Sequence, residues 1–129
     1  MNVEEYLIET TLKEEFGYHN LSNSLAKTTY RIYQIVKDLP DKEKYDNMLN
    51  ALKAIRTELS IIESKYTSHQ ITGEQAISYI SSYIKAIKKS ISILQEMDLQ
   101  EKYIKKRVSK NIKSLEKIKD RLIKIKTRI

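Results

Sequence analysis

The residues that could bind a partner by charge are concentrated at one end of this sequence. Residues 101–129 hold 12 Lys and Arg against 3 acidic residues, a net charge of +9, whereas residues 1–100 have a net charge of −2. Rows of ammonium and guanidinium groups bind phosphate strongly, because each contact releases condensed counterions from a polyanion. This basic segment therefore indicates a surface for a polyanion.

Lysines recur through the basic segment at spacings of three and four, which places several of them on adjacent turns of a helix. Lysine outnumbers arginine here, and it binds phosphate as a point charge instead of reading guanine with two hydrogen bonds. We therefore predict contact with the phosphate backbone of DNA or RNA and little sequence preference. The predicted contacts are Lys102, Lys105, Lys106, Lys110, Lys113, Lys117 and Lys124, extended by Lys85, Lys88 and Lys89.

Two other interpretations explain the same lysines. They could form an ordinary solvated helix face, or the five glutamates within residues 4–15 could neutralise them from within the chain. In both cases the charge would need no partner. The concentration of charge in one element, beside a slightly acidic remainder, gives the binding interpretation equal weight.

Two pairs of tyrosines each share a helix face. They are Tyr30 with Tyr33 and Tyr79 with Tyr83. Such tyrosines usually line a bundle core and direct the hydroxyl to the surface. Tyr79 and Tyr83 could instead form a stacking platform for unpaired bases beside the lysines that follow them, which would predict binding of RNA or another single strand.

Patterns for catalysis or metal binding are absent from the sequence. There is no cysteine, the two glycines exclude a phosphate-binding loop, and no serine lies in a nucleophile elbow. His19 and His69 lie far apart, and neither has an acidic residue at a ligand spacing. We predict a protein that is not an enzyme and has no metal, no cofactor and no small-molecule substrate.

The elements that would position these residues are helices. Apolar residues recur at steps of three and four along the chain, which is the helical period, and the length suits one domain. Thr72 followed by Gln75 is a capping-box pattern and predicts a helix start. The predicted helices cover residues 2–16, 21–39, 41–67, 73–97 and 99–129.

The boundary between the last two predicted helices lies at Asp98. The apolar stripe of the preceding helix would bring this aspartate into the core, and Asp98 with Glu101 could cap a new helix. The alternative is one bent helix over residues 73–129, roughly 85 Å long at 1.5 Å per residue. We favour two helices, because so long a helix would project from a small domain.

The last predicted helix follows a seven-residue repeat. Val108, Leu115, Leu122 and Ile129 take the a positions, and Ile104, Asn111, Ile118 and Ile125 take the d positions. Lysine and arginine occupy most flanking e and g positions, so a parallel homodimer would bring like charges together. The helix is therefore expected to pack on its own chain or on an acidic surface.

These observations predict an all-α fold: an antiparallel bundle of four to five helices with a long basic C-terminal helix. No segment is apolar enough to cross a membrane, and the N-terminus is acidic where a signal peptide would be basic. We expect a soluble, cytoplasmic protein that binds nucleic acid. The alternative is an assembly subunit that docks on an acidic protein or self-associates. As a small, basic, all-helical chain, it resembles in overall format the small helical subunits of CRISPR effector complexes and the helical coat proteins of filamentous archaeal viruses.

Overall fold

The computed structural model describes residues 21–40, 42–97 and 102–129. Within these ranges there is no strand, which confirms the predicted all-α class. The helix predicted over residues 2–16 and the cap predicted from Asp98 and Glu101 lie outside the described residues. The described helices are α1 (Leu21–Val36), α2 (Lys42–Thr67), α3 (Gly73–Gln95) and α4 (Lys102–Arg128).

Each helix buries the apolar stripe that its spacing predicts. On α2 the stripe comprises Tyr45, Met48, Leu52, Ile55, Leu59 and Ile62, and on α4 it comprises Val108, Asn111, Leu115, Ile118, Leu122 and Ile125. Burying one leucine or isoleucine side chain contributes about 1.5–3 kcal/mol relative to leaving it exposed. These stripes meet in one core, which holds the four helices together.

The four helices form a bundle in which each contacts two neighbours. The contacts are α1 with α2, α2 with α3, α3 with α4, and α4 with α1. A Cβ atom placed on Gly73 would lie 3.2 Å from Cγ2 of Ile129, so the start of α3 lies beside the end of α4. These two helices therefore run in opposite directions, and α3 and α4 are separate helices, as predicted.

Local hydrogen bonds explain where the helices begin and end. The capping box at α3 is confirmed: the Gln75 N–H donates to Thr72 Oγ1 at 3.1 Å, and the Thr72 N–H donates to Gln75 Oε1 at 2.8 Å. The end of α1 comes three residues earlier than predicted. The Leu39 N–H donates to the Val36 carbonyl at 3.0 Å in a tight turn, and Pro40 disfavours helical backbone at the residue before it.

A left-handed residue ends α2. His69 has a φ of 62°, its N–H donates to the Tyr66 carbonyl at 3.1 Å, and the Gln70 N–H donates to the Lys65 carbonyl at 2.8 Å. This is a Schellman motif, in which the left-handed position is most often glycine. The exposed His69 thus lies in the loop where it was predicted and serves a local backbone turn.

Among the described helices, none combines the length and the apolar character that crossing a bilayer requires.

Candidate nucleic-acid interface

The predicted lysine contacts all have exposed side chains, on α4 and on α3 alike. They do not form one surface. Because the a and d positions of α4 are buried, the remaining positions divide into two flanks and an outward row. One flank, made of the c and g positions, faces α1, and the other, made of the b and e positions, lies on the side of α3.

The flank of α4 that faces α1 carries no carboxylate along the described length of the helix. The acidic residues of α4, Glu116 and Asp120, lie elsewhere on its circumference, and Asp120 Oδ1 lies 3.8 Å from Lys119 Nζ. An exposed pair of this kind contributes little. The α1-facing flank consists of Tyr103, Arg107, Lys110, Ser114, Lys117, Arg121, Lys124 and Arg128.

The predicted contacts are therefore distributed around α4. Lys110, Lys117 and Lys124 fall on the α1-facing flank. Lys106 and Lys113 lie on the outward row. Lys102 and Lys105 lie on the flank of α4 that is nearer α3. Lys85, Lys88 and Lys89 lie on α3 itself.

α1 presents a second row of polar and cationic side chains to α4. The row repeats at steps of three and four, so it lies along one side of α1. Together the two helices line two adjoining depressions of about 160 and 380 Å³. The first is lined by Ser24, Lys27, Thr28, Arg31, Ser114 and Lys117, and the second by Arg31, Arg107, Lys110, Asn111 and Ser114.

Arg31 and Ser114 line both depressions, so the two form a single groove, which we call the α1–α4 groove. Every described residue that lines it carries a cation, a hydroxyl or an amide, and none of these described residues carries a carboxylate. The Ser114 hydroxyl donates to the Lys110 carbonyl at 3.1 Å, and Thr28 and Asn111 are only 2% and 4% exposed. The cations are therefore the main donors that could meet a phosphate oxygen, and charged donors make the stronger hydrogen bonds. The groove therefore has the chemistry of a phosphate-binding surface.

Three cations of the groove were missed by the sequence prediction: Lys27, Arg31 and Arg107. The first two lie within residues 1–100, whose net charge is −2, so a count of charges over that whole stretch does not reveal them. Lys27 and Arg31 follow Ser24 at steps of three and four residues, so the sequence does place them together on one side of α1, away from its apolar stripe. The sequence could not reveal that α4 packs against that side of α1.

Arg107 is held at the edge of the groove by an aromatic ring. Its guanidinium carbon lies 5.7 Å from the ring centroid of Tyr103, one turn earlier on α4. Such a cation–π contact contributes about 0.5–1 kcal/mol at an exposed site. Tyr103 is 70% exposed, so most of its ring remains open to solvent beside the groove.

The predicted stacking platform of Tyr79 and Tyr83 is not available in the structure. Tyr83 is only 4% exposed and packs in the core, although Tyr79 is 45% exposed. Tyr83 lies three residues after Ile80 and four before Ile87, both fully buried, so it continues the apolar stripe of α3. A base cannot stack on a buried ring, and Tyr79 alone does not make a two-ring platform, so we remove both tyrosines from the candidate site.

The surroundings of Tyr83 also oppose an anionic ligand. Burial raises the pKa of the Tyr83 hydroxyl, and the neighbouring Glu58 carboxylate raises it further. The carboxylate does not complete a hydrogen bond of good geometry. Within the described residues, Tyr83 Oη is thus a buried polar atom without a hydrogen-bond partner.

The other tyrosine pair lies on the surface. Tyr30 is 63% exposed and Tyr33 is 45% exposed, contrary to the expectation that such a pair lines the core. They border a groove of about 340 Å³ between α1 and α2, which we call the α1–α2 groove. It is lined by Ala26, Thr29, Tyr30, Tyr33, Lys53 and Arg56.

Other chemistry does not come together in the part of the chain that the structure describes. No three His, Asp or Glu side chains there are close enough to hold a metal ion. His19 and the glutamates of residues 4–15 lie outside the described residues. Neutralisation of the basic helix by those glutamates therefore stays a prediction.

Comparison of this chain with known protein families, with curated proteins and with solved structures finds no match in any of the three. The function is therefore inferred from the residues that line the two grooves.

Proposed function

We propose that this chain is a non-enzymatic nucleic-acid-binding protein whose long basic C-terminal helix contacts the phosphate backbone. The α1–α4 groove is the observation that supports this proposal most. Cations from two helices converge there with hydroxyl groups, and none of the described lining residues is acidic. A polyanion would supply the negative charge that the groove lacks.

Lysines outside the groove extend the contact. Lys124 continues the same flank of α4, and Lys106 and Lys113 follow the outward row. About five phosphate contacts would give a log–log dependence of affinity on salt with a slope near −3.5 for a single strand or −4.5 for a duplex.

Little sequence preference is expected from these groups. Lysine and serine side chains that meet phosphate oxygens fix the register of a protein on nucleic acid and carry no base information. Bidentate reading of guanine needs an arginine that reaches a base edge, and the groove arginines lie beside hydroxyls suited to phosphate.

An acidic protein partner is the second candidate. The α1-facing flank of α4 itself carries no carboxylate along its described length, which favours this candidate, because a carboxylate-rich surface would suit the same cations. Self-association through the α4 seam is less favoured, since Val108, Leu115 and Leu122 of that seam lie in the core of the chain's own bundle.

The test is binding of fluorescein-labelled 20-nucleotide single strands and 20-base-pair duplexes, measured by anisotropy from 50 to 300 mM KCl. The variant Lys27→Glu/Lys117→Glu reverses one cation on each wall of the groove. Loss of two phosphate contacts should weaken single-strand binding by about 25-fold at 0.1 M salt. The matched control, Lys44→Glu/Lys65→Glu, makes the same change in net charge at exposed positions of α2.

The control variant should bind within about threefold of the wild type. If the two variants weaken binding equally, the loss of affinity comes from the change in net charge, and the groove is not the binding site. If the wild type binds neither oligonucleotide at 50 mM KCl, the proposal is wrong. Light scattering of the chain alone and with a carboxylate-rich protein would then test the second candidate.

A further inference from the structure

We infer that the nucleic acid is a single strand that crosses α1, with phosphates in the α1–α4 groove and unpaired bases stacked on Tyr30 and Tyr33. This inference rests on the proposed function and specifies its ligand. The inference is supported by the position of α1, which forms one wall of the α1–α2 groove and one wall of the α1–α4 groove.

At two places on α1, neighbouring residues in the sequence line different grooves. Ala26 and Tyr30 line the α1–α2 groove, whereas the residues that follow each of them, Lys27 and Arg31, line the α1–α4 groove. The distance between the grooves is thus the width of one helix, about 10 Å with its side chains. Even at the compact 3.4 Å per nucleotide of a duplex strand, about three nucleotides suffice to span this width, and an extended single strand needs fewer.

The α1–α2 groove has the composition of a stacking site for bases. Two open aromatic rings three residues apart lie on one side of α1, where their Cβ atoms are about 5–6 Å apart. Lys53 and Arg56 of α2 form the opposite wall and could hold the backbone of a strand whose bases lie on the rings. Aromatic rings beside cations are the recurring means of binding single strands without sequence preference.

A duplex cannot use this second groove. Its bases are stacked on each other and present only their edges, so a tyrosine ring finds no open base face. Tyr103, exposed beside Arg107 at the edge of the phosphate groove, offers a further ring to a single strand but not to a duplex. The two grooves together therefore favour unpaired nucleic acid.

The experiment compares the wild type with Tyr30→Ala/Tyr33→Ala on a 15-nucleotide single strand, as DNA and as RNA, and on the matching duplex. Loss of two stacking contacts should weaken single-strand binding by at least about tenfold. Duplex affinity and the salt slope should not change, because no phosphate contact is lost. Tyr30→Phe/Tyr33→Phe should bind like the wild type, since it keeps both rings.

The matched control is Tyr79→Ala, which removes an equally exposed ring from a different surface and should have no effect. Thermal unfolding followed by circular dichroism will show that the exposed-site variants remain folded. The inference is wrong if Tyr30→Ala/Tyr33→Ala binds the single strand within twofold of the wild type, or if it loses duplex binding equally. A steep salt slope with no effect of the tyrosines would overturn this inference and leave the proposed function standing.

Discussion

The two tyrosine pairs of this bundle lie on two amphipathic helices, α1 and α3, but they differ in exposure and in the charge of the residues beside them. Tyr30 and Tyr33 are both open to solvent, and the helix opposite them contributes Lys53 and Arg56. Tyr79 is partly open, but its partner Tyr83 is buried beside the carboxylate of Glu58. Exposure and the charge of the facing helix therefore decide which aromatic pair could meet a nucleic acid.

The largest difference between the two pairs should appear in the free energy of unfolding when one tyrosine of each pair is replaced by alanine. Tyr83→Ala removes a buried ring from the core and should lower the free energy of unfolding by about 2–4 kcal/mol. Tyr30→Ala removes an exposed ring and should change it by less than about 0.5 kcal/mol. Urea denaturation of the two variants measures the difference, and equal losses would contradict the contrast drawn between the pairs.

The pH dependence of stability should also separate the pairs. The Tyr83 pKa is raised in the folded state, so the folded chain holds this proton more tightly than the unfolded chain does. The resulting stabilisation is present below the ordinary tyrosine pKa of about 10 and is lost as pH rises above it. Tyr83 should account for a loss of about 0.8 kcal/mol by pH 10.5.

The measurement is urea denaturation between pH 8 and pH 10.5, with Tyr83→Phe as the control. The phenylalanine variant should lose less stability over this range than the wild type, because it has no hydroxyl to ionise at this position. It should also be more stable at pH 8, since it removes a buried hydroxyl that has no partner. Parallel pH profiles for the two proteins would show that Tyr83 does not titrate as described.

The smallest effect should come from giving the Tyr79 and Tyr83 pair a cationic neighbour like those of Tyr30 and Tyr33. Glu58→Lys replaces the exposed carboxylate near Tyr79 and Tyr83 with a cation. Single-strand affinity should rise by about twofold at 0.1 M salt, because one weak phosphate contact becomes available beside the open ring of Tyr79. Lower affinity in the anisotropy assay would mean that Glu58 does not oppose an anion at this surface.

Much of the fold could be predicted from the spacing of apolar residues. The stripe of α2 identified its buried side chains except Leu49, and the seven-residue repeat of α4 identified those of α4, including the polar Asn111. The burial of Tyr83 was also predictable, because Tyr83 continues the stripe of Ile80 and Ile87. The exposure of Tyr30 was predictable for the opposite reason, since it falls two residues from both Thr28 and Ile32.

The grooves could not be predicted in the same way. Each depends on which helices become neighbours, and a periodic pattern within one helix does not contain that information. The cation nearest to Arg31 in the sequence is Lys27, one turn earlier, and the two become part of a phosphate-like site only because α1 packs beside α4. Charge counted along the chain therefore identified one wall of the candidate site and missed the other.

Asn111 has a consequence for this wall that extends beyond its own side chain. It is 4% exposed, yet it borders the α1–α4 groove, so its amide lies where the apolar interior meets the cations. Turning α4 about its long axis toward the core would drive this amide among hydrocarbon side chains at a cost of about 1–3 kcal/mol. A single polar side chain thus opposes that rotation, and the orientation that it favours determines which ammonium groups face outward together.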